Sequence, residues 1–291
     1  MRMKTKCEVI FFVSSSGHCT LDCPYCIINP IAKNEPSLNH GDLEFLLDTF
    51  QRKTFFGFSG KGDFFAGYGK SQKLLASLLE RDVEIALDIN GILIHEFSEL
   101  SDTQLAKIRA INLTMHYQQI KEKNLQQVWT KNARILISKK DKDMLLGTII
   151  SPIQTDHWEE ALLFYEKKIF SETGKKIVLI RDINRTLSKE EEDYLLTLNE
   201  RFAHLVERVH QEDFAKIFEN YAHVFCPAGS SYFRIWNNGD IQGCPNIHKL
   251  SQCGNVKERK IVIRDKLFRC SEMRYCDCHA IEGLGKMTYK I

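Results

Sequence analysis

The chain carries no excess charge of either sign, no long apolar run, no internal repeat and no low-complexity tract. Its 40 Lys and Arg against 38 Asp and Glu leave a formal net charge of +2. That balance gives no electrostatic reason to expect nucleic acid or an anionic membrane as a main partner. No segment approaches the roughly 20 apolar residues of a membrane-spanning helix. The opening Met1-Arg2-Met3-Lys4-Thr5-Lys6 leads through Cys7 and Glu8 into an apolar run over 9–13, too short and poorly framed for a secretion signal. What the sequence does have is cysteine, 10 in 291 residues. In a chain without a secretion signal, clustered cysteines read as metal ligands sooner than as disulfides. The length suffices for one large domain and an appendage. A soluble, cytoplasmic metal-binding protein is expected.

Short β-like runs alternate with helical patterns along the first two thirds of the chain. Strands are predicted over 9–13, 54–58, 83–89, 111–117, 145–151 and 177–183. A helix over 41–53 places Leu43, Leu46, Leu47 and Phe50 on one face, and another carries Leu74, Leu75, Leu78 and Leu79. Ser101-Asp102-Thr103-Gln104 has capping-box spacing and opens a helix through Leu105 and Ile108. A short helix is predicted over 121–129, and 134–137 is ambiguous. Trp158, Leu162, Tyr165 and Ile169 share a face of a helix over 155–170, and Ser188 to Glu191 caps a helical region reaching about 218. Six such alternations imply a parallel sheet with crossover helices, as an open barrel or a doubly wound sheet.

The densest chemical signal is Cys19-Thr20-Leu21-Asp22-Cys23-Pro24-Tyr25-Cys26, directly after the first strand. Three thiols this close can hold three irons of a cubane cluster and leave the fourth open, whereas a zinc finger wants four protein ligands in paired halves. The spacing, with Tyr25 before the last cysteine, resembles the signature of the radical S-adenosylmethionine (radical SAM) enzymes. The resemblance implies a partial (β/α)6 TIM-like barrel, a [4Fe–4S] cluster on Cys19, Cys23 and Cys26, and S-adenosylmethionine on the open iron. In that family the reduced cluster cleaves S-adenosylmethionine to a 5'-deoxyadenosyl radical. Active groups of such barrels sit at the C-terminal ends of the strands, where the cysteine loop lies.

Other strand ends offer candidates of lower specificity. Ser59-Gly60-Lys61-Gly62-Asp63 follows the second strand. By itself it reads as an ordinary turn, or as a place where backbone and a carboxylate approach a ligand. In the family a Gly-Gly-Glu-Pro-like stretch there holds the cofactor's amino group, so the resemblance implies that role for Gly60, Gly62 and Asp63. This chain departs from it by an inserted Lys61, by Asp for Glu and by Phe64 for Pro. Asn90-Gly91 is a turn signal and is similar to the Thr-Asn-Gly of many members, which makes Asn90 a cofactor candidate. His116 is either a cofactor contact or proton carrier, or a hydrogen-bonded structural residue. Arg181 either faces the lumen and binds a substrate carboxylate or forms a salt bridge.

Beyond about 220 the alternation stops, and 6 of the 10 cysteines fall between Cys226 and Cys278. Asn238-Gly239 between apolar-rich runs predicts a type I′ hairpin, which would fold Cys226 and Cys244 toward each other. Twelve residues separate Cys226 from Gly239, and Gly-x4-Cys244 follows. This resembles the SPASM/twitch extension, as does Gly254-Asn255-Val256. Leu267 and Ala280 stand where a full SPASM domain has cysteines, which favours the shorter twitch form with one auxiliary [4Fe–4S] cluster. The resemblance implies ligands Cys226, Cys244, Cys276 and Cys278, with Cys270 competing, while Cys7 and Cys253 are read as non-ligands. A structural zinc knot is the alternative.

Two domains are expected: a barrel core over 1–220 and a cysteine-rich β-hairpin plus helix over 221–291. The expected activity is hydrogen abstraction followed by net two-electron oxidation of a small molecule or short peptide, with flavodoxin or ferredoxin as electron donor. Eight residues before the first strand leave no room for the leader-binding domain of many peptide maturases, so a peptide reading needs a separate leader-binding partner. The contrasting class is a non-catalytic iron–sulfur or zinc protein.

Overall fold

Strand order follows chain order. The computed structural model describes residues 8–14, 18–26, 38–60, 62–68, 74–94, 97–182, 185–210, 225–244, 252–265 and 268–269. Seven parallel strands lie side by side: β1 (Val9–Ser14), β2 (Thr54–Ser59), β3 (Val83–Ile89), β4 (Ile108–Met115), β5 (Met144–Ile150), β6 (Ile177–Arg181) and β7 (Val206–His210). The crossovers carry α1 (His40–Phe50), α2 (Phe64–Tyr68), α3 (Leu74–Glu80), α4 (Asp102–Lys107), α5 (Tyr117–Glu122) and α6 (Gln126–Lys140). They continue with α7 (Trp158–Tyr165), prolonged through a π-helical turn into α8 (Ser171–Thr173), and with α9 (Lys189–Arg201).

Sequential parallel order means that every crossover turns the same way and the helices cover one face. A doubly wound sheet would reverse its order midway, so the sequence ambiguity resolves toward the singly wound arrangement from which TIM-like barrels are built. Side chains alternate between faces along each strand. Phe11, Val13, Phe56, Phe58, Ile85, Leu87, Ile111 and Leu113 form one buried core with the leucines of α1 and α3. The intervening positions face the side that no described helix covers, where Phe12, Asp88, Asn112 and Thr114 keep partial exposure.

Local signals set the helix starts. Capping boxes close on Asn39 with Asp42, Ser101 with Gln104, and Ser188 with Glu191. Three expectations give way. The helix predicted over 121–129 is broken between Glu122 and Gln126, where α6 begins and takes in 134–137. Ile108 begins β4 instead of ending a helix, and α9 stops at Arg201, so the helical region foreseen to about 218 contains a seventh strand. Val206 and Val209, three apart, suit a helix face. Pairing beside β6 decides for the strand.

After residue 210 the described chain adds to the same sheet. β8 (Phe225–Cys226) pairs with β13 (Phe268–Arg269) in a separate ladder. β9 (Tyr232–Ile235) lies parallel to β1 on its other side, and β10 (Asp240–Gln242) returns antiparallel. β11 (Gly254–Asn255) and β12 (Lys260–Ile261) complete that edge. The β9–β10 hairpin forms, but not through the expected type I′ turn: Gly239 is at φ +97° while Asn238 is not at positive φ. The Gly239 N–H donates to the Trp236 carbonyl at 2.8 Å and the Trp236 N–H to the Asp240 carbonyl at 2.9 Å, a three-residue loop with glycine in the left-handed position. No helix is present among the described residues beyond Arg201. No described helix is long and apolar enough to cross a membrane.

Candidate functional site

The loop after β1 carries Cys19, Cys23 and Cys26, with Cys19 and Cys26 exposed and Cys23 half-buried. The Cys26 N–H donates to the Cys23 carbonyl at 3.0 Å, closing a turn around Pro24 and Tyr25. Cys19 Sγ accepts from the Leu21 N–H at 3.4 Å and from Asn90 Nδ2 at 3.4 Å. The protein around the sulfurs desolvates both Cys19, although the residue as a whole is exposed, and Cys23, and so raises both, the latter to about 12. Asp63 and then Cys26 push Cys19 further up, and Cys19 and Cys26 push Cys23. Without metal these two sulfurs therefore hold their protons at neutral pH. Among the described residues, no three His, Cys, Asp or Glu side chains are already gathered for a metal ion. The donor set nonetheless suits an iron–sulfur cluster: three soft sulfurs on one loop, one of them facing two N–H groups that favour its anionic form.

The loop is tied down from the C-terminal ends of four other strands. Beyond β2, the Asp63 N–H donates to the His18 carbonyl at 2.7 Å. Gly62 sits at φ +83°, where an added Cβ would lie 2.3 Å from the His18 oxygen, so close backbone approach requires glycine there. Beyond β3, Asn90 Nδ2 reaches Thr20 Oγ1 at 3.1 Å as well as Cys19. The Asn90 side-chain oxygen accepts from the Ile92 N–H at 3.0 Å, which fixes the amide's orientation. Beyond β4, His116 Nδ1 and the Tyr25 hydroxyl are hydrogen-bonded at 2.9 Å, their rings stacked at 5.7 Å. Gln119 Oε1 accepts from the Asp22 N–H at 3.1 Å. Beyond β6, Arg185 pairs with Asp182 at 2.9 Å and donates to the Pro24 carbonyl at 3.4 Å.

Asp63 is wholly buried, and its carboxylate accepts the N–H groups of Phe65 (3.0 Å), Ala66 (3.3 Å) and Asn90 (2.7 Å). Burial lifts its pKa to about 6 against the pull of those three donors. The carboxylate thus binds the β2 and β3 ends together. Gly60 stands beside it at φ +96°, and Lys61 lies outside the described residues. Burial lowers His116 to about 4, so its imidazole is neutral at physiological pH. Tyr25 is buried, and its hydroxyl, bonded also to Cys23, is held well above the usual phenol range by burial. Arg181 is on the helix-covered face in a two-pronged pair with Glu192 of α9. Of its two readings, the salt bridge is the one present.

In the second cysteine group, β9 and β10 form the foreseen hairpin. An added Cβ on Gly243 would lie 2.7 Å from the Gly229 nitrogen, so the buried Cys244 follows a segment in close contact with the one after Cys226. Cys253 is also buried, and burial raises its thiol. Cys270, Cys276 and Cys278, like Cys7, lie outside the described residues.

Of the residues singled out in the sequence, Tyr25, Asn90 and His116 take part in the contacts of the Cys19–Cys26 loop; Thr20, Gln119, Asp182 and Arg185, which were not singled out, take part too. Those four have no spacing to mark them and meet the loop only through the fold.

No family model matches the chain, and no curated protein matches it. Among solved structures, BtrN in an open conformation aligns over 88% of this chain and 78% of its own at 12% identity, with a TM-score of 0.38. SacUVDE aligns over 78% of this chain and 91% of its own, also at 12% identity, with a TM-score of 0.25. Likenesses this distant decide neither fold nor activity.

Proposed function

We propose that this protein is a radical SAM enzyme. One observation carries the reading: a Cys-x3-Cys-x2-Cys loop at the C-terminal end of a singly wound parallel sheet, held there by groups from four other strand ends. Cys19, Cys23 and Cys26 would hold a [4Fe–4S] cluster, with S-adenosylmethionine beside it. When bound, that pair supplies one-electron cleavage of the sulfonium and a 5'-deoxyadenosyl radical. The chain's own residues position and shield. Asn90 donates to Cys19, the neutral His116 and Tyr25 brace the last turn of the loop, and Asp63 locks the β2 and β3 ends without reaching outward.

The finer reading is a net two-electron oxidation of a small molecule or short peptide, by dehydrogenation or bond formation. An auxiliary cluster on Cys226, Cys244, Cys276 and Cys278 would assist, and a flavodoxin or ferredoxin would supply electrons. The close approach of the segments following Cys226 and preceding Cys244 favours a shared metal site there. A cytoplasmic location is part of the same proposal, since exposed clusters need reducing surroundings.

Iron and sulfide are measured after anaerobic reconstitution, in wild type and in a Cys19→Ala/Cys23→Ala/Cys26→Ala variant, together with 5'-deoxyadenosine formation. Roughly eight irons in wild type and about four in the variant are expected for two cubane clusters, with nucleoside formed by wild type alone. A reconstituted wild type that binds iron but forms no 5'-deoxyadenosine would make the protein an electron carrier. Zinc in place of the variant's residual iron would leave the second cysteine group structural.

A further inference from the structure

The β9–β10 hairpin contains a cation that the fold leaves unpaired. Arg234 is half-buried, yet among the described residues its side chain makes no ion pair and no hydrogen bond; its guanidinium rests on the Trp236 ring, 4.8 Å from the centroid. Other half-buried cations are spent on carboxylates: Arg181 on Glu192, Arg185 on Asp182, Lys175 on Asp141. Two further polar atoms of the same hairpin are buried without a partner, Trp236 Nε1 and Gln242 Oε1. Desolvated groups of this kind cost free energy when nothing meets them.

Register puts the three on one surface. Arg234 is opposite Gln242 on one side and Phe12 of β1 on the other, and the alternate residues Phe233, Ile235 and Ile241 belong to the core on the helix-covered face. Arg234, Trp236 and Gln242 therefore face the side that no described helix covers. Phe12 and Tyr232 lie alongside, their rings 5.8 Å apart. Because β9 runs parallel to β1, Trp236 is toward the end of the sheet from which the cysteine loop emerges.

We propose that Arg234, Trp236 and Gln242 form a binding site for a carboxylate bearing an adjacent hydroxyl or amine, attached to an apolar body. The guanidinium fork donates to both carboxylate oxygens, and the indole N–H donates to one of them. The neighbouring O–H or N–H of the ligand donates to Gln242 Oε1, and the apolar body lies against Phe12 and Tyr232. This is the carboxylate role that Arg181 cannot take. As a substrate site it rests on the radical SAM reading; as a binding site it does not.

Binding of 3-phenyllactate, 3-phenyllactamide and 3-phenylpropionate to the full chain is measured by saturation-transfer NMR at millimolar ligand, metal-free and after anaerobic reconstitution. Phenyllactate should bind saturably, the amide should not, and phenylpropionate should bind more weakly. Arg234→Met should weaken phenyllactate about tenfold or more, the worth of a charge-assisted hydrogen bond, while Arg234→Lys keeps part of the affinity. Gln242→Leu should bring phenyllactate and phenylpropionate to the same affinity. Circular dichroism and a melting curve on each variant separate lost binding from lost folding, and Arg234→Lys serves if Arg234→Met unfolds. Equal binding of acid and amide, an unchanged Arg234→Met, or no binding of any probe by wild type would overturn the proposal. Binding that depends on Arg234 in a protein that forms no 5'-deoxyadenosine would keep the site and end the radical SAM reading.

Discussion

Asp63 makes stability fall as pH rises, the reverse of the usual carboxylate. Its native pKa is pushed up to about 6 by burial, from 3.8, so the folded chain holds a proton that the unfolded chain has released. The stabilisation is complete below pH 3.8, declines between there and pH 6, and is gone above. Proton affinity raised roughly a hundredfold, at about 1.4 kcal/mol for each factor of ten, is worth about 3 kcal/mol. Urea unfolding of metal-free wild type and Asp63→Asn, followed by circular dichroism from about pH 4 to pH 8, isolates this contribution. The stability of wild type minus that of the variant should fall by about 2.5 kcal/mol between about pH 4 and pH 7 and stay nearly flat beyond. The offset of the two curves reports something else. An asparagine keeps an oxygen for Phe65 and Ala66 but turns an N–H against the Asn90 N–H, so the offset favours wild type at acid pH. A difference that rises with pH would mean that Asp63 ionises in the native chain at or below its ordinary pKa. The N–H donors of Phe65, Ala66 and Asn90 would then outweigh burial, and the reading that burial dominates at Asp63 would be wrong.

Two further outcomes follow from the contacts of the cysteine loop. Gly62→Ala should lower stability by about 2 kcal/mol or more in urea, because alanine at φ +83° costs about 1–2 kcal/mol and its Cβ would collide with the His18 backbone; an unchanged melt would mean that the loop does not pass over Gly62. Asn90→Asp keeps the acceptor for Ile92 but removes the donor to Cys19, so in reconstituted protein the cluster's midpoint potential should become more negative by about 40 mV or more, the equivalent of about one net hydrogen bond; EPR-monitored redox titration reads it, and an unshifted potential would remove Asn90 from the cluster's surroundings.

The sequence by itself determined the features that repeat over short range. Strand and helix alternation was legible because apolar spacing and capping residues act within a few positions, as at Ser101 with Gln104 and Ser188 with Glu191. The Asn238-Gly239 hairpin and the Cys19–Cys26 loop were legible for the same reason, since both are local chemistry. What only the tertiary structure decided depends on residues far apart in the chain. The helix expected to run on through Val206 and Val209 gave way to a strand beside β6, and the winding of the sheet was decided by which strands become neighbours. Asp63 has the same local sequence whether it reaches a ligand or turns inward; the N–H of Asn90, 27 residues away, turns it inward. Arg181 was the candidate carboxylate binder in the sequence, where nothing marked Arg234. Glu192 on α9 takes the first, and no carboxylate of the described fold meets the second, because strand parity puts one arginine under the helices and the other on the face they leave open.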